Sequence, residues 1–223
     1  MPRIGRIVAV GLPHHITQRG NYQQKVFVNE DDRKQYLHWI QMYSEKYGLC
    51  ILAYCLMNNH VHFIAIPAKE DSLCKTFNTA HMRYSQYFNR KLKQRGHLWQ
   101  GRFYSCVLDE PHLILAARYI ERNPVRAGLV QQPWQWPWSS ALAHIAQKEA
   151  DFIGLNDFLK IVGKHHGSWK AYIGFTEELS FLHAIRKNTL TGRPLGTIPF
   201  IKALEEKFHR SLSALPIGRP KGT

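Results

Sequence analysis

Residues Cys55 to Ile66 read CLMNNHVHFIAI, and the fold is best worked out from this stretch. Its period-two alternation and its β-branched and aromatic residues predict a strand that is entered through a turn at residues 57–59. Side chains two positions apart on a strand share a face, so His60 and His62 are expected to lie side by side, where two neutral imidazoles can bind one metal ion. In a chain with 13 histidines, two unrelated surface or hydrogen-bonded histidines are the alternative.

A second stretch, residues 109–124 (DEPHLILAARYIERNP), carries the signals of one short helix. Asp109 is a suitable N-cap and Pro111 falls in the first turn, while Pro124 disfavours helical backbone at the residue before it. Tyr119 and Asn123 are four positions apart, which places them on the same side of this helix and away from its apolar stripe. A phenol is therefore expected one helical turn from an amide oxygen.

The predicted elements follow the order β-α-β-β-α-β, and the helix just described comes last. The strands are predicted over residues 14–18, 50–56, 60–66 and 98–108. One helix is predicted from a cap at Asp31 or Asp32 to Gly48, and the next begins at Asp71 or Ser72. This order is the split βαβ or ferredoxin-like plan of the α+β class, in which helices cover one face of an antiparallel sheet and leave the other face free.

Composition restricts the class of partner. The chain has 223 residues, of which 44% are hydrophobic, so a core of ordinary size can form. Its net charge of +14 indicates a polyanionic partner, although such charge can also serve solubility alone. Nucleic acid is favoured over a membrane because no apolar run approaches the roughly 20 residues that span a bilayer. The 4 cysteines lack paired metal spacing and no secretory signal is visible, so a cytoplasmic protein with reduced thiols is expected.

The composition changes after residue 138, where short helical patterns are separated by glycines. We therefore expect a first domain over residues 1–138, a helical extension over 139–190 and a basic DNA-binding segment over 191–223. The last segment contains Gly-Arg-Pro twice, around Arg193 and Arg219. Such a tripeptide resembles the core of an AT-hook, in which an extended arginine enters the minor groove. A flexible basic tail, or a compact module in which both tripeptides are turns, are the alternatives.

Several segments resemble those of a known family. Residues 57–62 (MNNHVH) resemble the His-hydrophobic-His motif of HUH endonucleases. Residues 119–130 (YIERNPVRAGLV) resemble the single-tyrosine helix of the REP-associated tyrosine transposases, which have an IS200-like transposase domain. Residues 15–21 (HITQRGN), 99–103 (WQGRF) and 136–140 (WPWSS) also match family segments. Asn58 departs from the family, which usually has proline there, at the entry to the strand.

The resemblance implies the HUH fold for residues 1–138 and a transposase-like endonuclease and strand transferase. Its substrate would be single-stranded DNA with REP-type hairpins. The implied chemistry is attack by Tyr119 on the scissile phosphate, which gives a covalent 5′-phosphotyrosine and a free 3′-OH. The implied metal is Mg2+ or Mn2+, held by His60, His62 and Asn123, although the ligand types alone would suit manganese, cobalt or zinc better than magnesium. Either a monomer or a homodimer is expected.

DNA contacts are expected from five arginines. Arg19 and Arg102 match positions in the family segments, and we assign them to phosphate or hairpin contact, although each could equally form a structural salt bridge. Arg83 belongs to a basic face of the second helix that is dense enough to favour phosphate contact. Arg193 and Arg219 complete the expected set.

Two other functions fit the same residues. A non-catalytic, sequence-specific nucleic-acid-binding regulator would keep the fold and the basic surface, but it would not need to keep all four of His60, His62, Tyr119 and Asn123. A hydrolase in which the metal activates water would leave Tyr119 as a core residue. A covalent protein–DNA adduct would separate the transposase-like function from both.

Overall fold

The structure, a computed structural model, describes residues 5–147, 153–163 and 168–213. The strands are β1 (His14–Arg19), β2 (Leu49–Leu56), β3 (His60–Pro67) and β4 (Tyr104–Val107). They form one antiparallel sheet in the order β2-β3-β1-β4. Helix α1 (Glu30–Tyr47) connects β1 to β2, and α2 (Ser72–Lys91) connects β3 to β4. This topology confirms the predicted ferredoxin-like α+β plan.

Helices α1 and α2 pack on one face of the sheet, as predicted. The N-cap of α1 is Asn29 rather than Asp31 or Asp32. The Asn29 side chain accepts from the Asp32 backbone N–H at 3.1 Å and the Asp32 carboxylate accepts from the Asn29 N–H at 3.2 Å, so the two residues form a capping box. Gly48 ends α1 in the left-handed conformation, as predicted. The core on this face is rich in aromatic rings: Phe27, Tyr36, Phe63, Phe77 and Tyr84.

The fourth strand is shorter than predicted. Residues 98–103 form a loop instead, held at the end of β1 by a single bridge between Gly20 and Trp99. The backbone N–H of Gln100 also donates to the Arg19 carbonyl at 2.8 Å. Gly101 has a φ of 74°, in the left-handed region, and this interrupts the extended backbone. The apolar pattern of this stretch therefore reflects loop side chains buried against the core.

The second face of the sheet is not left free, contrary to the prediction. It is covered by α3 (Glu110–Glu121) and by C-terminal helices. The further helices of this region are α4 (Asn123–Arg126), α5 (Ala141–Ala146), α6 (Leu155–Gly163), α7 (Trp169–Gly174) and α8 (Leu179–Thr191). The reason lies in β3, where Ile64 and Ile66 share a face with His60 and His62 and pack in this second core. The tyrosine helix therefore packs beside the histidines.

A buried carboxylate joins the C-terminal helices to α3. Glu121 accepts hydrogen bonds from Ser140 Oγ and His144 Nδ1 at 2.6 Å each, and from Trp169 Nε1 at 2.8 Å. A buried charge is tolerated when such bonds satisfy it. The predicted helical extension is confirmed, and Glu121 has a structural role in it.

The end of the described chain packs along the edge of β4. The Leu195 backbone N–H donates to the Val107 carbonyl at 2.8 Å. Helix α9 (Ile198–Phe208) then buries Leu204 in a small cluster with Val107 and Ile7. This packing makes residues 195–208 part of the folded body.

The first Gly-Arg-Pro tripeptide lies in the turn between α8 and α9. Gly192 ends α8 with a φ of 76°, and Arg193 Nη1 donates to the Leu212 carbonyl at 2.7 Å. The second tripeptide, around Arg219, lies outside the described residues. The division of the chain at residues 138 and 190 stays a prediction. Within the described part of the chain, no helix is both long enough and apolar enough to cross a bilayer.

Candidate active site

A pocket of about 440 Å³ opens at one end of the sheet, where the histidine face of β3 meets α3 and α8. The sheet side of its wall carries Arg19, His60 and His62, and the helical side carries Tyr119 and Asn123. The structure thus places the predicted nucleophile and the three predicted metal ligands around one cavity.

The two histidines stand on the same face of β3 because side chains alternate along a strand. Val61 between them points into the aromatic core on the opposite face. The ring centroids of His60 and His62 are 5.0 Å apart and the ring planes are nearly perpendicular, at 86°. This separation allows both rings to direct a nitrogen at one ion.

Burial sets the protonation state of both rings. Burial, with smaller contributions from Arg19 and Arg126, lowers the pKa of His60 to about 4. The pKa of His62 lies well below its usual range, because of burial first and the neighbouring His60 second. Both imidazoles are therefore neutral at neutral pH, which is the form that binds a metal.

Hydrogen bonds orient the His60 ring. Its Nδ1 donates to Asn59 Oδ1 at 2.6 Å, which leaves Nε2 without a proton. Nε2 faces the Asn123 side-chain amide, with 3.2 Å between it and Nδ2. A half-turn about the Cβ–Cγ bond of Asn123 exchanges Nδ2 for Oδ1, and an oxygen is the atom of that amide that binds a cation.

These groups fit the divalent metal that the sequence implies. Two neutral ring nitrogens and one amide oxygen form a donor set with room for water or phosphate oxygens on the pocket side. Within residues 5–147, 153–163 and 168–213, no cluster of three or more His, Cys, Asp or Glu residues could hold a metal. Two histidine nitrogens and one amide oxygen are fewer donors than the four ligands of a structural zinc site.

Tyr119 is held at the wall of the pocket by its neighbours. Its ring meets the His62 ring edge-on, with centroids 5.7 Å apart and planes at 85°. On another side, the Arg126 guanidinium lies 4.3 Å from the ring centroid and donates to the Tyr119 carbonyl at 2.6 Å. Arg126 is in turn paired with the buried Glu177. The phenol ring is thus fixed beside the histidine pair.

Several residues of the site were not identified from the sequence, among them His15, Arg186 and Thr189. The His15 ring lies edge to edge with the His62 ring, with centroids 5.1 Å apart and planes 10° apart, and His15 lies within a segment that already resembled the family. Alternation along β1 from Arg19 could have placed it on the same face. Arg186 and Thr189 reach the pocket from α8, and no local signal in the sequence connects them to it.

The predicted DNA-binding arginines are spread over the molecule. Arg19 lines the pocket, whereas Arg102 lines a separate cavity of about 340 Å³ beside Trp99. Arg83 is exposed on α2, which packs on the opposite face of the sheet. Arg193 is engaged by backbone carbonyls, and Arg219 lies outside the described residues. Contact of these five residues with DNA stays a prediction.

Comparison with known proteins shows which family the chain belongs to. A family model described as IS200-like transposase matches residues 9–123, a range that holds both histidines, the tyrosine and, as its last residue, Asn123. A Haemophilus influenzae protein whose name assigns it to the REP-associated tyrosine transposases is 30% identical over 132 residues, which cover 53% of this chain and 74% of that protein.

A solved structure has the same fold. It is a REP-associated tyrosine transposase bound to a REP hairpin, and it superposes with a TM-score of 0.54 at 20% identity over 68% of this chain and 90% of its own. Two findings decide the family. Residues 9–123 match the IS200-like transposase model, and the chain is 30% identical to a protein named as a REP-associated tyrosine transposase. The chain belongs to the IS200-like transposases and is a relative of the REP-associated tyrosine transposases.

Proposed function

We propose that this protein is a metal-dependent endonuclease and strand transferase of single-stranded DNA, which cleaves near hairpins through a covalent 5′-phosphotyrosine on Tyr119. The observation that carries the proposal is the position of the Tyr119 ring, edge-on to His62 at 5.7 Å in the pocket that also holds His60 and Asn123. Membership of a transposase family supports DNA strand cleavage as the reaction class.

The reaction replaces one phosphate ester bond, to the 3′ oxygen, with another, to the Tyr119 oxygen. The Tyr119 oxygen attacks the phosphorus in line, the new P–O bond forms, and the bond to the 3′ oxygen breaks. Water passes the phenol proton to the departing oxygen, which leaves as a 3′-OH. The ester bond energy is kept in the phosphotyrosine, so strand transfer needs no nucleotide cofactor.

His60, His62 and Asn123 would hold Mg2+ or Mn2+, which supplies Lewis-acid polarisation of the scissile phosphate. The protein contributes the orientation. Asn59 fixes the His60 ring, and Arg126 stacks on Tyr119 and prevents its ring from turning away from the pocket. Arg19 and Arg186, both on the pocket wall, place positive charge where the DNA backbone enters.

The proposed substrate is single-stranded DNA that carries hairpins of the REP type. The net charge of +14 favours a polyanion, and the structurally similar transposase is bound to a REP hairpin. The protein is proposed to act as a monomer or a homodimer in the cytoplasm. A regulator without catalytic activity, or a hydrolase with Tyr119 as core, would bind or cut DNA without becoming attached to it.

Covalent attachment therefore tests the proposal. Wild-type protein incubated with Mn2+ and single-stranded hairpin DNA should give a complex that survives denaturing electrophoresis. Tyr119→Phe should abolish the complex while hairpin binding stays near wild type. Tyr104→Phe is the matched control, because Tyr104 is the other tyrosine on the pocket wall, and it should keep the complex. Absence of any adduct in wild type on its own hairpin would overturn the proposal.

A further inference from the structure

A buried hydrogen-bond chain runs from α8 to the histidine pair. Thr189 Oγ1 lies 2.8 Å from His15 Nδ1, and His15 Nε2 lies 2.9 Å from His62 Nδ1. All three side chains are at least 95% buried, with exposures of 2%, 1% and 5%. Little solvent reaches these bonds, so the protein largely arranges the protons on them.

Each neutral imidazole carries one proton, so the tautomer of one ring fixes the tautomer of the ring hydrogen-bonded to it. For His62 to offer Nε2 to a cation, its proton must sit on Nδ1 and be donated to His15 Nε2. His15 then carries its own proton on Nδ1 and donates it to Thr189 Oγ1. The Thr189 hydroxyl lies 3.3 Å from Cys106 Sγ, which can receive its proton.

The two histidines are thus oriented by different means. His60 uses Asn59, its neighbour in sequence, as the acceptor of its Nδ1 proton. His62 uses a chain that passes through Thr189 on α8, beyond the residues 9–123 that match the family. Outer partners of this kind fix the tautomer of a metal-binding histidine and raise its affinity for the metal.

We infer that His15 and Thr189 are positioning residues, which hold His62 in the tautomer that binds the metal, and that α8 is therefore a functional part of the active site. The inference rests on the proposed metal site. It predicts that loss of the Thr189 hydroxyl weakens metal binding without touching any ligand, because His15 loses the acceptor that selects its tautomer.

The test compares Thr189→Val with Thr189→Ser in the chain of 223 residues. Valine has the shape of threonine without the hydroxyl, and serine keeps the hydroxyl. The matched control is Thr191→Val, because Thr191 is also buried on α8 but its hydroxyl donates to carbonyls of its own helix, those of Lys187 and Asn188. Mn2+ affinity is measured by the EPR signal of the free ion. Thr189→Val should bind Mn2+ about 10- to 100-fold more weakly, and the other two variants should match wild type.

A second readout needs no metal. The ring nitrogen shifts of His62 in the metal-free wild-type protein, from long-range ¹H–¹⁵N NMR, should show the proton on Nδ1. A proton on Nε2, or unchanged Mn2+ affinity in folded Thr189→Val, would overturn the inference while leaving a wild-type metal site intact. Wild-type protein that binds no Mn2+ would overturn the proposed metal chemistry, and this inference with it.

Discussion

Asn123 Nδ2 lies 3.2 Å from His60 Nε2, although the two residues are 63 positions apart in the chain. His60 is the first residue of β3 and Asn123 is the first residue of α4, so the contact joins the sheet to the segment that follows the tyrosine helix. One turn earlier, Tyr119 faces the ring of His62. The nucleophile and the proposed ligands therefore share one rigid frame.

Loss of either histidine should stop cleavage without unfolding the protein. His60→Ala or His62→Ala removes a proposed metal ligand, and a metal contributes several kcal/mol to phosphate chemistry, so single-turnover cleavage should fall by about a thousandfold. Asn123→Ala should be milder because an amide is a weak ligand. The matched control is the exposed His97→Ala, which should cleave normally. Cleavage by wild-type protein that persists in excess chelator would show that no metal is needed.

The protein should lose stability as the pH falls below about 6.5. Burial lowers the pKa of His14 to about 4 and that of His81 to about 3. Below their ordinary pKa, the unfolded chain binds protons that the folded state does not, so each buried histidine costs about 1.4 kcal/mol per pH unit until its folded pKa is reached. This loss of unfolding free energy is absent well above the ordinary histidine pKa and grows as the pH falls below it.

Urea unfolding at pH 7.5 and pH 5.5 measures this effect. These two histidines alone should lower the free energy of unfolding by about 3 kcal/mol between the two pH values, at about 1.4 kcal/mol each. The exposed His97→Gln should show the same loss as wild type. Equal stability at both pH values would mean that the buried rings are not neutral in the folded state.

Two truncations should separate packing from DNA affinity. Removal of residues after Leu190 takes away Leu204 and Leu212, both buried in the cluster of Val107, so it should destabilise the protein by about 1.5–3 kcal/mol for each buried leucine. Removal of residues after Ser213 deletes Arg219 and Lys221 but leaves this cluster in place.

The shorter deletion should weaken hairpin binding and leave the chemistry unchanged. For every phosphate that the deleted residues neutralise, the plot of log K against log salt should become flatter by about 0.7 for single-stranded DNA. The single-turnover cleavage rate must be compared at saturating protein, since weaker binding would otherwise resemble slower chemistry. A full salt slope after this deletion would show that the last ten positions bind no phosphate.

Local patterns in the sequence were sufficient for the parts of the site that depend on periodicity. Alternation along β3 placed His60 and His62 on one face, and the cap and proline signals around α3 placed Tyr119 near Asn123. The loop at Gly101 was predicted as strand because burial produces the same apolar pattern in a loop as in a pleated strand.

What the local patterns missed depends on tertiary packing. The apolar residues Ile64 and Ile66 on the histidine face already required a cover, but no periodicity indicates which later helix supplies it. Thr189 and Arg186 enter the pocket only because α8 packs on β4 and β1. Their contribution could be seen only in the folded molecule.

Mass spectrometry of the digested adduct is the sharpest test of whether Tyr119 becomes covalently attached to DNA. Trypsin cuts after Arg102, Arg118 and Arg122, so it separates Tyr104 and Tyr119 into the peptides 103–118 and 119–122. After nuclease treatment, we expect the added nucleotide mass on peptide 119–122, which has a single tyrosine, and unmodified peptide 103–118. Nucleotide mass on peptide 103–118, with peptide 119–122 unmodified, would show that Tyr104 and not Tyr119 attacks the DNA.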